Sequence, residues 1–306
     1  MRFSRNRYEL PAKKTDLAVA VAVARSGRFR MKTVADVLGV SRSSLIVQSK
    51  KNPPPLPSPT LRAANEEVLA EIRQITDERP MYGYPRVTAM LRKARKTAGK
   101  QPINHKRVYR IMRENWLTLT RHQGKRTLRH DGKVITLKSN LRWYTEIFHI
   151  QCWNEDIVRV LFSLDCCDRE VMKYFATAEG IDGSRIRDLM TETMESRFGS
   201  VTQVPHRVEW LSDNGLQLVA HETVAYDRTF GLEVCTTPAY NPESKGMAEA
   251  FVKTFKRDYV YLNKLDNAQA VLAQLPYWFE DYNENAPHKG LKMKTSREYR
   301  REQLAS

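Results

Sequence analysis

Two acidic residues and two lysines in the second half of the chain have the types and spacing for metal-dependent phosphate chemistry. Asp213 stands in Trp210-Leu211-Ser212-Asp213-Asn214-Gly215, directly after the run Val208-Glu209-Trp210-Leu211. A run of that kind that stops at Asn-Gly reads as a buried strand ending in a turn. Asp213 therefore falls at the carboxyl end of a strand, where open α/β sheets place their ligands. Glu249 lies in the first turns of a helix that starts after Pro242, and 35 residues separate it from Asp213. Lys253 and Lys256 follow at i+4 and i+7, on the carboxylate's own face of that helix. Carboxylate oxygens are what a hard divalent cation takes, and lysines beside such a site suit the phosphates of a nucleic acid. Taken singly, each has an ordinary reading: a strand-end Asp before Asn-Gly is a turn residue, and a Glu–Lys pair at i,i+4 is a surface pair.

The elements that must position these groups begin at Asn140. Strands are expected at Trp143–Ile150, Val158–Cys167 and Val171–Ala178, followed by a helix at Ser184–Phe198. A strand at Arg207–Ser212, a helix at Glu222–Phe230 and a strand at Glu233–Thr237 come next. Helices are expected at about 245–262 and 267–284, with Phe251, Phe255 and Tyr259 packing inward from the first. Spacing alone gives a mixed α/β domain.

The residues before it read as helices. In 15–50, Leu17–Ala24 forms a first helix, Thr33 caps a second that Gly39 ends, and Ser41 caps a third that turns Arg42, Ser43, Ser44 and Gln48 outward. A short helix, a glycine turn and a Ser-capped helix present a recognition helix to a major groove. Residues 51–60 carry Pro53, Pro54, Pro55, Pro57 and Pro59 and read as an extended linker. Residues 61–122 form a second helical module, with helices at Leu61–Ile75 and Val87–Lys96 and a third capped by Asn104. The third buries Val108, Ile111 and Met112 while Lys106, Arg107, Arg110 and Arg113 project. Such a basic face suits phosphate contact, although many are only solvated. Residues 123–139 read as a basic linker.

Charge separates the same two halves. Among 306 residues, 1–140 hold 31 Lys/Arg against 10 Asp/Glu, whereas 141–306 hold 20 against 25. A basic arm on a mildly acidic body points to a polyanion partner for the arm. The four cysteines, Cys152, Cys166, Cys167 and Cys235, form no Cys-x-x-Cys and no Cys/His pattern with zinc spacing. No signal peptide and no apolar run of spanning length is present, so no membrane is expected and the compartment is the cytoplasm, at the nucleoid.

The Asp–Glu spacing, with Asp-Asn-Gly at its start and Lys seven residues after the Glu, resembles the DDE transposases and retroviral integrases. The longer run Asn241-Pro242-Glu243-Ser244-x-Gly246-x-Ala248-Glu249-x-Phe251-Val252-Lys253-Thr254-x-Lys256-Arg257-Asp258-Tyr259 narrows the match. So do Leu164-Asp165-Cys166-Cys167-Asp168-Arg169-Glu170, Tyr82-Gly83-Tyr84-x-Arg86-Val87 and, less tightly, the tail from Tyr282 to Tyr299. From about residue 15 to residue 302 the chain is similar to the OrfB-type transposases of the third insertion-sequence family. The resemblance implies a ribonuclease-H-like integrase catalytic core over 140–302, preceded by two small all-α helix-turn-helix modules. It implies DNA strand cleavage and strand transfer with two Mg²⁺ or Mn²⁺ ions held by three carboxylates, at positions 146, 213 and 249. The implied partners are double-stranded DNA, further copies of the chain on that DNA, and an upstream OrfA product. Arg42, Lys106, Arg107, Arg110, Arg113, Lys253 and Lys256 are the expected DNA contacts. The family reads Trp-x-x-Asp where this chain has Trp143-Tyr144-Thr145-Glu146, so the first carboxylate sits one methylene further out. That departure leaves a second reading open, a DNA-binding remnant or regulator with a weakened centre. Asp165 is a candidate outer-shell partner of the metals.

Overall fold

The computed structural model describes residues 27–37, 39, 41, 42, 45, 46, 59–119, 136, 138–199, 204–212, 230–236 and 242–305. The chain divides into two compact units, Met1–Glu66 and Glu67–Ser306. In the first, helix α1 (Met31–Val37) buries Val34 and Ala35. Thr33 lies inside α1 and does not cap it, because the Val34 N–H already bonds the Arg30 carbonyl at 3.1 Å. Gly39 follows with φ +61°, the left-handed conformation that favours glycine. The Leu45 N–H then bonds the Ser41 carbonyl at 2.9 Å, closing a further turn around buried Leu45. The expected helix at Leu17–Ala24, and Ser43, Ser44 and Gln48, lie outside the described residues.

Helix α2 (Pro59–Glu78) starts within the expected proline linker. Proline has no N–H to lose in the first turn of a helix, so Pro59 opens α2 where it was read as extended. The linker residues 51–58 and most of the basic stretch 123–139 lie outside the described residues. Helix α3 (Tyr84–Thr97) likewise starts three residues before the expected Val87, with Pro85 in its first turn. Helix α4 (His105–Glu114) begins as expected, the Asn104 side chain accepting the Lys106 N–H at 2.9 Å. In the second unit α2, α3 and α4 enclose one small core that includes Val68, Ile72, Tyr82, Val87, Leu91, Val108, Ile111 and Met112.

The part from Asn140 onward is built on a five-stranded sheet in the order β3-β2-β1-β4-β5. Its strands are β1 (Arg142–Gln151), β2 (Ile157–Asp165), β3 (Val171–Thr177), β4 (Val208–Ser212) and β5 (Leu232–Thr236). The first three form an antiparallel meander, and β4 and β5 add parallel to β1. Strand β2 stops two residues short of expectation. Asp165 Oδ1 accepts the N–H groups of Cys167 and Asp168, at 2.7 and 3.1 Å, and turns the chain there.

Side-chain alternation assigns each face its helices. On one face Trp143, Leu161 and Trp210 pack with Ile186, Leu189, Met190 and Met194 of α5 (Gly183–Phe198). On the other, Tyr144, Phe148, Phe162 and Leu211 pack with α6 (Pro242–Asp258) and α7 (Ala268–Glu284). Helix α6 stops at Asp258, four residues before the expected end, and a short 3-10 turn follows at Val260–Leu262. Helix α8 (Ser296–Leu304) closes the chain with a reciprocal cap between Thr295 and Glu298. Among the described residues, no helix is long and apolar enough to cross a membrane.

The helical module is joined to this body by ion pairs. Both guanidinium arms of Arg79 bond the Asp281 carboxylate, and Tyr259 donates its hydroxyl to the same carboxylate at 2.8 Å. Arg86 meets Asp258 at 2.6 Å and lies 3.5 Å over the buried Tyr82 ring. Lys93 pairs with Glu298 at 2.6 Å.

Candidate active site and nucleic-acid surface

Glu146 sits near the middle of β1, the central strand, opposite Phe162 of β2. By alternation it shares the face of Tyr144 and Phe148, the face that α6 covers. It is half-buried there, and its Oε2 is shielded from solvent.

Helix α6 is set on that face by small and aromatic residues. Ala248 is fully buried and lets the helix approach the sheet. The Phe251 ring lies 4.6 Å from Phe162, the strand neighbour of Glu146, and the Phe255 ring lies 5.8 Å from Phe148. The helix thus advances along β1 in the strand's own direction. Glu249, two residues before Phe251, is carried at the end of this packing nearer Glu146 and is exposed. Lys253 is exposed one turn on. Lys256 is half-buried with its Nζ 5.8 Å over the Phe148 ring, and desolvation pulls its ammonium below the ordinary lysine range.

Strand β4 brings the third position to the edge of the described structure. Its parallel register with β1 runs Trp143–Trp210, Tyr144–Leu211, Thr145–Ser212. Asp213 itself lies outside the described residues. Among the described residues, no three of His, Cys, Asp and Glu converge as a metal-holding group.

Asp165 is not available as an outer-shell partner. It is fully buried, and both its oxygens are occupied. Oδ2 takes the Asn140 N–H at 2.7 Å and the Trp143 indole N–H at 3.2 Å, while Oδ1 takes the two turn N–H groups. It fixes the start of β1 to the end of β2, three residues from Glu146. Asp168 next to it meets Arg197 at 3.2 Å. Burial and the Asp165 charge push its carboxyl up to about 6, against the pull of Arg197.

Of the expected DNA contacts, Arg42, Lys106, Arg110 and Arg113 are exposed and Arg107 is half-buried. The sequence reading missed the clamp between module and core. Tyr82 and Arg86 stand in a stretch read only as a motif of the resemblance, yet Arg86 pairs with Asp258 and lies over the Tyr82 ring. A signal existed on the core side. Asp258 continues the Phe251–Phe255 stripe at i+7, and Asp281 follows Trp278 on the buried side of α7. An acid on an apolar stripe requires a partner.

Known proteins share this sequence along nearly all its length. The family described as HTH-like domain matches residues 63–126, and integrase core domain families match 137–242 and 231–295. The chain is 39% identical over 300 residues to the transposase InsD for insertion element IS2-9 of Escherichia coli (strain K12), covering 96% of this chain and 95% of the relative. It is 40% identical over 279 residues to the Escherichia coli transposase InsD for insertion element IS2A/D/F/H/I/K, covering 89% and 91%. Among solved structures, a simian T-cell lymphotropic virus intasome in complex with PP2A regulatory subunit B56 gamma aligns at 16% identity with a TM-score of 0.44, over 75% of this chain and 74% of that one. With two InsD relatives matched along nearly their whole length and integrase core families covering the sheet and its helices, the chain belongs to the OrfB-type insertion-sequence transposases, with an integrase core domain.

Proposed function

We propose that Glu146, Asp213 and Glu249 are the three carboxylates that hold the divalent metal ions of this transposase, and that the reaction is cleavage and joining of DNA strands. The observation that carries the reading is the β1–β4 register. It is parallel through Thr145–Ser212, and Glu146 and Asp213 are the residues that follow these two in sequence. Glu146 lies on the face that α6 covers, and α6 supplies Glu249. The donor set is all oxygen, which fits Mg²⁺ or Mn²⁺ and not a soft metal. Two such ions, when bound, would activate the attacking oxygen and stabilise the leaving one in an in-line displacement at phosphorus.

The chain's other residues bind and orient. Lys253 and Lys256 lie along α6 beyond Glu249, where ammonium groups suit the phosphates of the DNA end. Phe251 and Phe255 fix the pitch of α6 on the sheet, and with it the reach of Glu249. Arg42 of the first unit, and Lys106, Arg107, Arg110 and Arg113 of α4, grip duplex DNA through its phosphates. Residues 15–50 and 61–122 serve as the DNA-binding modules and 140–302 as the catalytic body. Copies of the chain, with an upstream OrfA product, assemble on the element ends.

Metal binding tests the ligand set directly. Mn²⁺ titrated into the intact chain should bind, as read by the loss of free-ion electron paramagnetic resonance signal. Asp213→Asn and Glu249→Gln should each weaken that binding at least tenfold, since each removes an anionic ligand and keeps the shape. Parental Mn²⁺ affinity in both variants would show that the ligands are misassigned. Weak Mn²⁺ binding by the parent that Glu146→Asp restores would favour the weakened remnant.

A further inference from the structure

We propose that the carboxyl-terminal loop Lys289–Lys294 of the core and the adjoining ends of α3 and α4 form one cradle for the phosphate backbone of duplex DNA. It deepens the DNA-binding reading above, on which it rests, by giving the catalytic body a share of the grip. A cleft of about 400 Å³ lies between loop and helices. Arg92 and Lys292 supply its charged lining, and His105, Pro85, Ala89 and Met293 line it beside them; among the described residues no carboxylate does.

The charged groups are set apart from the ion pairs around them. Lys93 and Lys294, each close in sequence to one of them, are engaged by Glu298 and Glu302. Lys289 and Lys292 are exposed and have no carboxylate partner among the described residues. Arg92 is steered by its Nε, which donates to the Ile103 carbonyl at 2.8 Å.

The loop that presents Lys292 is fixed in an uncommon shape. Lys292 and Met293 have φ of +56° and +66°, a region that side-chain-bearing residues rarely adopt. Backbone bonds hold it, among them Met293 N–H to the His288 carbonyl at 2.9 Å, His288 N–H to the Lys294 carbonyl at 3.0 Å and Lys294 N–H to the Leu291 carbonyl at 3.1 Å. Strain of this kind persists only where the surroundings enforce it and gathers at ligand clamps. A loop backbone already held in place loses little freedom on binding.

The ligand class follows from what adjoins the cleft. His105 is followed by exposed Lys106 and, one turn later, exposed Arg110. The cationic surface therefore continues from the cleft onto α4, and a long polyanion with regularly spaced charges can follow it. Duplex DNA has that form.

The test uses the intact chain and a mixed-sequence duplex oligonucleotide, with affinity measured across a salt series by fluorescence anisotropy. Lys292→Asn removes the charge and keeps a residue tolerant of the left-handed conformation. It should weaken binding roughly three- to tenfold and lower the log–log salt slope by about 0.9; adding Lys289→Gln should lower it by about 0.9 again. Lys292→Arg should keep the parental slope, which separates charge from loop shape. Arg110→Gln reports on the underlying reading. If Arg110→Gln weakens binding and Lys292→Asn changes neither affinity nor slope, the cradle is wrong and α4 still binds DNA. If neither variant weakens binding, both ideas fall. Inorganic phosphate distinguishes the remaining source: a Lys292-dependent phosphate site with no Lys292-dependent duplex binding also overturns the proposal.

Discussion

At the scale of single residues, Glu146 stands where the resemblance expects the first Asp. It stands on a central strand flanked by β2 and β4, so the backbone has little room to withdraw the extra methylene. A displacement of about 1 Å at reacting groups can cost on the order of a hundredfold in rate. Glu146→Asp should therefore raise Mg²⁺-dependent strand transfer by about tenfold or more at unchanged DNA affinity, and Glu146→Gln should remove what activity the parent has. An Asp variant no faster than an active parent would mean that the site has adapted to Glu. Asp165 carries the opposite lesson. The sequence presents it as a strand-end acid and a candidate outer-shell partner, but its partners are N–H groups of Asn140, Cys167 and Asp168 and the Trp143 indole. Its neighbours in space are set by the turn it forms, which composition does not reveal. Asp165→Ala would leave four donors without an acceptor, three of them backbone N–H groups. It should lower the midpoint of thermal unfolding by several degrees, with Mn²⁺ affinity held in the folded fraction.

At the scale of elements, the strands and α4 were readable because their signals are local. Burial that alternates from Phe148 to Gln151 marks the end of β1, and Asn104 marks the first turn of α4. The starts of α2 and α3 were misread for a local reason as well, since proline ends an extended reading as easily as it opens a helix. The clamp between the helical module and the core was not readable, because its partners lie about 200 residues apart in sequence. Burial alone would raise the Asp281 carboxyl, but Arg79 and Tyr259 hold it below the ordinary carboxylate value. Its stabilising contribution is thus present at neutral pH and is lost only as pH falls through that lowered value. Asp281→Ala strands the Arg79 guanidinium and should cost about 3 kcal/mol at pH 7 in denaturant unfolding. A loss under about 0.5 kcal/mol would mean that the pair is solvated. Buried His288 adds a second pH dependence in the loop after α7. Burial lowers its imidazole from 6.5 to about 4, so the folded state holds it neutral. Protonation of the unfolded chain then erodes stability as pH falls from 6.5 towards 4, by up to a few kcal/mol. His288→Gln should flatten stability against pH in that window, and an unchanged profile would contradict the assignment.

At the scale of the whole molecule, charge suggested a basic DNA-binding arm attached to a separate catalytic body. The structure corrects the separateness for the second module: Glu67–Ser306 is one compact unit, in which Arg79, Arg86 and Lys93 of the helical module are engaged by core acids. Cutting near residue 139 would take Arg79 from Asp281 and Arg86 from Asp258, so a fragment of residues 140–306 should be less stable than the same residues in the intact chain. Its unfolding midpoint, measured beside the intact protein, checks this, and equal midpoints would show that the clamp contributes nothing. The family and the sheet were legible from a few dozen residues, while Asp213, the proposed third acid, is marked only by its spacing to Glu249. The central claim is that three carboxylates from β1, from just beyond β4 and from α6 act as one metal-binding centre. Strand joining on the element's own ends, with purified parent, Asp213→Asn and Glu249→Gln matched for DNA affinity, tests it most directly. The account predicts Mg²⁺-dependent joined product from the parent, or from its Glu146→Asp form, and none from either substitution in the same background. Joining at the parental rate by Asp213→Asn or Glu249→Gln would contradict it.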